Sequence, residues 1–265
     1  MPPLFGYGAA FRNLGEALDS ATFCLFDFVE AEDRINRYVR AVQRAAAGRP
    51  VAVLGYSGGG NLGYAVTQAL EAAGTAVSVL ILLDAPVKRR RVVQDDAAMA
   101  EMMASNLGYF EARMAADEDY VAYISQPGLR AMMLHRMEAF IRYLNDYTDS
   151  GTVATDIALV RSAQQWAEPD DWTGWADRTR GRFTLHQGVG RHAHMTEGSN
   201  LGENAAIIRA ILRAHGIGHG GERDTPRDGD SRDTPPRRGG GRKHLPAAVR
   251  PLLSSATGPH ALQGR

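Results

Sequence analysis

Apolar residues fall into runs and stripes that alternate along the first third of the chain. Phe23 to Val29 (FCLFDFV) predicts a strand. From Asp33 to Ala47 the apolar positions are Ile35, Tyr38, Val39 and Val42, one face of a helix. Gly48-Arg49-Pro50 breaks that helix. Val51-Ala52-Val53-Leu54 is a short continuous apolar run, the pattern of a strand buried on both faces of a parallel sheet. Asn61 to Ala73 carries Leu62, Ala65, Val66, Ala69 and Leu70 on one side, and Gly74 stands where a helix C-cap is expected. Val77 to Leu83 (VSVLILL) repeats the buried-strand pattern. Strand and helix alternating at this length predict βαβ units and an α/β fold with a mostly parallel sheet.

Between about Lys88 and Thr148 the pattern becomes helical, with no strand. This stretch holds seven of the nine methionines, Met99, Met102, Met103, Met114, Met132, Met133 and Met137, and many of the tyrosines. The sheet pattern returns at Phe183 to His186, followed by the loop Gly188-Val189-Gly190. A last helix is predicted from about Leu201 to Ala214, with Asn200 and Glu203 spaced as a capping box.

Composition narrows the function classes. Lys+Arg and Asp+Glu are 30 each, so the formal net charge is zero. That argues against a general binder of nucleic acid or anionic membrane. The single cysteine, Cys24, excludes an intrachain disulfide framework and a cysteine-rich zinc site, and fits a reducing, cytoplasmic compartment. No apolar run is long enough to span a bilayer, and no export signal is visible. The zero net charge conceals two regions. Residues 219–265 carry nine basic and five acidic residues, a net of +4, which leaves the body at −4. From His219 to His244 there is no Ala, Val, Ile, Leu, Met, Phe, Trp, Tyr or Cys, so this stretch cannot bury enough surface to offset chain entropy. The expectation is a disordered tail over 218–265 behind a single body over 1–217.

Chemistry concentrates at Gly55-Tyr56-Ser57-Gly58-Gly59, a G-x-S-x-G motif between a predicted strand and a predicted helix. That context marks a nucleophile elbow. The chain must turn so sharply that the serine is strained, and small neighbours let the following helix pack close behind it. The hydroxyl then stands above the sheet, at the positive end of a helix. A rival reading exists. Gly58, Gly60 and Gly63 also spell the dinucleotide fingerprint G-x-G-x-x-G, and Asp84 sits where a ribose-binding acid is expected. It gives no role to a distant histidine, whereas a serine nucleophile needs a base and the base needs an acid. His192 and His194 lie on the loop after a late strand, the usual place for such a base. His135, His186 and His215 lie on predicted regular elements. Asp84 ends the strand after the elbow and is the acid candidate, with Asp170, Asp171 and Asp177 as later alternatives. The Pro/Gly-rich segment Pro2 to Gly8 is placed to lend a backbone N–H to an oxyanion hole alongside that of Gly58.

Over about residues 1–215 the chain resembles the type I thioesterase domain that ends non-ribosomal peptide synthetases, an α/β-hydrolase. The resemblance rests on PPLFGYGAAFRNL (2–14), FDFVEAEDRINRYV (26–39), VLGYSGGGNLGYAV (53–66), LILLDAP (80–86) and GVGRHAHM (188–195). It implies Ser57 as nucleophile, Asp84 as acid and His192 rather than His194 as base, with oxyanion donors on the backbone N–H groups of Leu4 and Gly58. It makes the helical insertion, about 88–148, a lid. It implies release of a peptidyl or acyl chain from the phosphopantetheine arm of a carrier protein, by hydrolysis or macrocyclisation, with no cofactor of the enzyme's own. Family members have a strand leading into the Pro-Pro segment, whereas this sequence reads Met1-Pro2. The expectation is therefore a native product that starts further upstream, or a fragment of a larger synthetase; a catalytically impaired carrier-protein-binding fragment is the alternative function.

Overall fold

The two apolar runs form adjacent parallel strands, β1 (Val51–Tyr56) and β2 (Val77–Leu83). The computed structural model describes residues 1–18, 21–92, 94–114, 125–166 and 172–218. The tail at 219–265, part of the insertion at 115–124, and Asp170 and Asp171 lie outside the described residues. A short helix α1 (Arg12–Ala17) and a helix α2 (Arg34–Ala46) precede β1. Helix α3 (Gly58–Ala72) connects β1 to β2 and stops where Gly74 takes φ +74. Two long helices follow, α4 (Asp96–Met114) and α5 (Pro127–Asp146). The sheet then resumes with β3 (Asp156–Arg161) and, after the short helix α6 (Ala163–Trp166), β4 (Phe183–Gln187); helix α7 (Gly198–Ala214) closes the body.

The described strands are all parallel, in the order β1-β2-β3-β4. Their side chains alternate between two apolar layers, as a period of two requires. Val53, Leu80, Leu82, Ile157 and Leu159 join α2, α3 and α5 in one layer. Val79, Ile81, Leu83, Ala158 and Val160 join α1 and α7 in the other. Val79 to Leu83 are wholly buried, so truncating Leu80 or Leu82 to alanine costs about 2–5 kcal/mol. Because all strands point the same way, their carboxyl ends share one edge, and Tyr56, Leu83 and Arg161 end there.

Three expectations need correction. Phe23 to Val29 is not a strand; only Leu25 makes an isolated bridge. Its apolar residues instead wall a groove of about 420 Å³ whose other side is β1, so the segment has no adjacent ladder to join. The buried Met1 ammonium reaches that groove and donates to the Leu54 carbonyl. Strand β3 was not expected: only four apolar residues, Ile157 to Val160, stand between Asp156 and Arg161. The capping box is absent, because α7 begins at Gly198 and the Asn200 side chain donates to the His194 carbonyl. The insertion also contributes to the core. Phe140 of α5 is wholly buried and stacks on Phe28 with ring centroids 4.4 Å apart, which makes α5 part of the main core. Met99, Met133 and Met137 are buried too, while Met132 is exposed. Among the described residues no helix is long and apolar enough to cross a membrane.

Candidate active site

Ser57 stands between β1 and α3 with φ +54, one of three non-glycine residues with positive φ among those described. Such a conformation costs of order 1–3 kcal/mol and persists only when its surroundings dictate it. Here they do. The Ser57 N–H donates to the Leu83 carbonyl at 2.8 Å, fastening the turn to β2, and the Ser57 carbonyl accepts from Gly60 N–H at 2.8 Å. The turn is too tight for side chains around it. A Cβ on Gly55 would lie 2.2 Å from the Gly59 carbonyl oxygen, and one on Gly59 would lie 2.2 Å from that of Pro2. The second contact also shows that the Pro-Pro segment lies directly against the elbow.

Asp84 is placed with equal care. It follows β2 with φ +46, and its N–H donates to the Val160 carbonyl at 2.9 Å. Its carboxylate is almost wholly buried. Oδ1 accepts from the Ser162 N–H at 2.7 Å, and Oδ2 lies 2.9 Å from His192 Nδ1. Because a carboxylate can only accept, the His192 proton sits on Nδ1 and leaves Nε2 as an acceptor. Nε2 is 3.2 Å from Ser57 Oγ. The imidazole is 38% exposed, so it is open to a reacting group, and the ring of Tyr56 lies against it at 5.4 Å between centroids. The arrangement can draw a proton from Ser57 as its oxygen attacks, and return it to a leaving group.

A cavity of about 690 Å³ opens on this line of groups, walled by Ser57, Asp84, His192, Lys88, Arg90 and Arg161. Gly58, whose backbone N–H is an expected oxyanion donor, begins α3; a Cβ there would strike Leu144 of α5. Leu4, the other expected donor, packs its side chain against the main core and against the cluster of Met99, Met137 and Ile141.

The remaining candidates are accounted for elsewhere. His194 shares the tight turn of His192, its N–H bonded to the Arg191 carbonyl. His186 is on β4, with Nε2 3.1 Å from Thr184 Oγ1, and burial lowers its pKa. His215 lies between Asp156 and the Ile211 carbonyl, and His135 pairs with Glu30. Asp177 is exposed. The dinucleotide reading fails on the same geometry. Gly60 packs on Ala85, Gly63 on Val53 and Leu80, and the carboxylate of Asp84 is already committed to Ser162 and His192. Sequence reasoning missed Ser162, which orients Asp84, and Tyr56, whose place inside the elbow motif was the available signal.

The thioesterase domain family model matches residues 1–212. Surfactin synthase subunit 3 of Bacillus subtilis (strain 168) is 31% identical over 216 residues, which is 82% of this chain and 16% of that protein. Tyrocidine synthase 3 of Brevibacillus parabrevis is 24% identical over 225 residues, 80% of this chain and 3% of that protein. The chain therefore spans a small part of the curated relatives it matches. Among solved structures, the surfactin-cyclising thioesterase domain SrfTE aligns with a TM-score of 0.68 at 30% identity, covering 80% of this chain and 88% of that one. The Vlm2 thioesterase domain bound with a dodecadepsipeptide aligns with a TM-score of 0.58 at 18% identity, covering 82% and 92%, a likeness of fold.

Proposed function

Because the chain belongs to the thioesterase domain family, we propose that Ser57, His192 and Asp84 release a peptidyl or acyl chain held as a thioester on the phosphopantetheine arm of a carrier protein. Ser57 Oγ attacks the thioester carbonyl while His192 Nε2 takes its proton. The tetrahedral oxyanion is met by the backbone N–H groups of Leu4 and Gly58. Collapse breaks the C–S bond, His192 gives its proton to the departing thiolate, and an acyl-Ser57 ester remains. His192 then activates water, giving hydrolysis, or an amine or hydroxyl of the chain itself, giving macrocyclisation. Asp84 holds the imidazole in the tautomer this sequence needs and stabilises the imidazolium that forms.

The observation that carries this reading is the continuous line from Ser57 Oγ through His192 to Asp84, built on a strained elbow. SrfTE, at 30% identity, cyclises surfactin, and surfactin synthase subunit 3 and tyrocidine synthase 3 are both parts of peptide synthetases, which supports a carrier-bound peptide as substrate. The partner is a carrier domain, the compartment the cytoplasm, and no cofactor of the enzyme's own takes part. Within 1–217, the described helices of the insertion, α4 and α5, form a cover over the acyl chamber, with α5 rooted in the core. The test is covalent labelling by a fluorophosphonate. The wild-type protein should be labelled at Ser57 and Ser57→Ala should not; labelling that persists in a folded Ser57→Ala protein removes Ser57 as the nucleophile.

A further inference from the structure

Asp149 follows α5 and is 2% exposed. Its Oδ2 accepts from Asn61 Nδ2 at 2.7 Å and from the Lys88 N–H at 2.6 Å, and its own N–H donates to the Lys88 carbonyl at 2.8 Å. The same Asn61 amide donates to the Pro86 carbonyl at 2.9 Å, and Trp175 Nε1 donates to the Ala85 carbonyl at 2.7 Å. The four residues after Asp84 are thus fastened by three buried side chains, drawn from α3, from the chain after α5 and from the turn at Trp172–Arg178.

That stretch is where fastening matters. Asp84 keeps a positive φ, which must be imposed from both sides. On the amino side β3 holds it through the Val160 carbonyl. On the carboxyl side the chain runs directly into the fastened loop. Asp149 is also a demanding way to join two segments. Its Oδ1 is buried without a hydrogen bond, and burial pushes its carboxyl up to about 6. What it gains is one oxygen accepting from two elements at once, the helix that begins at Ser57 and the loop that begins at Asp84.

We propose that Asp149 is a positioning residue for the acid: through Asn61 and Lys88 it fixes residues 85–88, and so the angle at which Asp84 presents Oδ2 to His192. It touches neither substrate nor the reacting atoms. This inference rests on the catalytic reading of Ser57, His192 and Asp84, and the experiment separates the two. Fluorophosphonate inactivation is followed to saturation, which resolves the limiting rate from the half-saturating concentration, and labelled protein is counted so that only folded sites enter the rate. Wild-type protein labelled at Ser57 establishes the catalytic reading; absence of labelling overturns that reading and this proposal together. Asp149→Ala is expected to lower the limiting rate about 10–100-fold with the half-saturating concentration unchanged, since misplacement by about 1 Å can cost that much. Asp149→Asn keeps an oxygen for both donors and should stay within about threefold of wild type. A wild-type limiting rate in Asp149→Ala, with only Tm lowered, overturns the proposal, as does Asp149→Asn no faster than Asp149→Ala. If Asp149→Ala does not fold, Asn61→Ala removes the same link from the other side and should show the same loss; a wild-type rate there is equally fatal.

Discussion

The carboxyl edge of the sheet and the free flank of β1 solve the same problem in opposite ways. At the carboxyl edge, Asp84 and Asp149 are buried acids, yet each accepts two hydrogen bonds, and both belong to a web joining α3, β3 and the loop after β2. At the flank, the Met1 amine is buried beside an apolar groove, with the Leu54 carbonyl as acceptor and no carboxylate among the described residues of the groove's walls. Burial moves the two titratable groups in the directions that favour their neutral forms: the Asp149 carboxyl up to about 6, the Met1 amine down to about 5. The lesson is that burial alone says little about function. The web surrounds an acid that reaches His192, while the flank removes a charge from water.

The strongest way to break the carboxyl-edge side of this contrast is Asp84→Asn. It should leave the fold intact and reduce turnover of an acyl thioester by about 10⁴-fold, because His192 then loses the acceptor that fixes its tautomer. Steady-state kinetics checks this, and a loss below tenfold breaks the picture of a committed acid. The flank is probed by pH. In a protein produced to start at Met1, the amine is neutral in the fold and protonated in the unfolded chain between about pH 5 and 8. Stability should therefore fall as pH drops through that window, by up to about 4 kcal/mol. Converting the amine to an amide, by acetylation or by a short Val/Ile-rich extension, should abolish that slope in urea titrations. Asp149 gives the opposite sign. Its raised folded pKa makes stability rise as pH falls from about 6 toward 4, by up to about 3 kcal/mol. Asp149→Asn should flatten the profile in that window only. The smallest effect is expected from Trp175→Phe, which keeps the ring but leaves the Ala85 carbonyl unpaired; a loss of about 1–3 kcal/mol in denaturant midpoint analysis is expected.

Legibility follows the same divide. Strands β1 and β2 were plain in the sequence because a strand buried on both faces must be continuously apolar. The elbow was plain because G-x-S-x-G between a strand and a helix is a local signature, even though Gly58 and Gly59 are held to glycine by the distant Leu144 and Pro2. Where partners come from afar, local pattern failed. Phe23 to Val29 has the composition of a strand, but a strand also needs a neighbour, and β1 lies across the groove from it. Strand β3 was hidden because charged residues, Asp156 and Arg161, stand at its two ends, and the groups that satisfy them there, the Arg182 N–H and Gln165, come from outside the strand. Asp149 carries no motif. Its meaning depends on residues 61 and 88 meeting residue 149 in space, which no spacing announces.

Cys24 is the sole cysteine, half-buried in the wall of the groove beside β1, with its thiol pushed up by burial. The protein therefore carries its own reporter for that flank. Alkylation of this sulfur should slow whenever something fills the groove and quicken whenever β1 frays from it, so a single intrinsic label can time events beside β1.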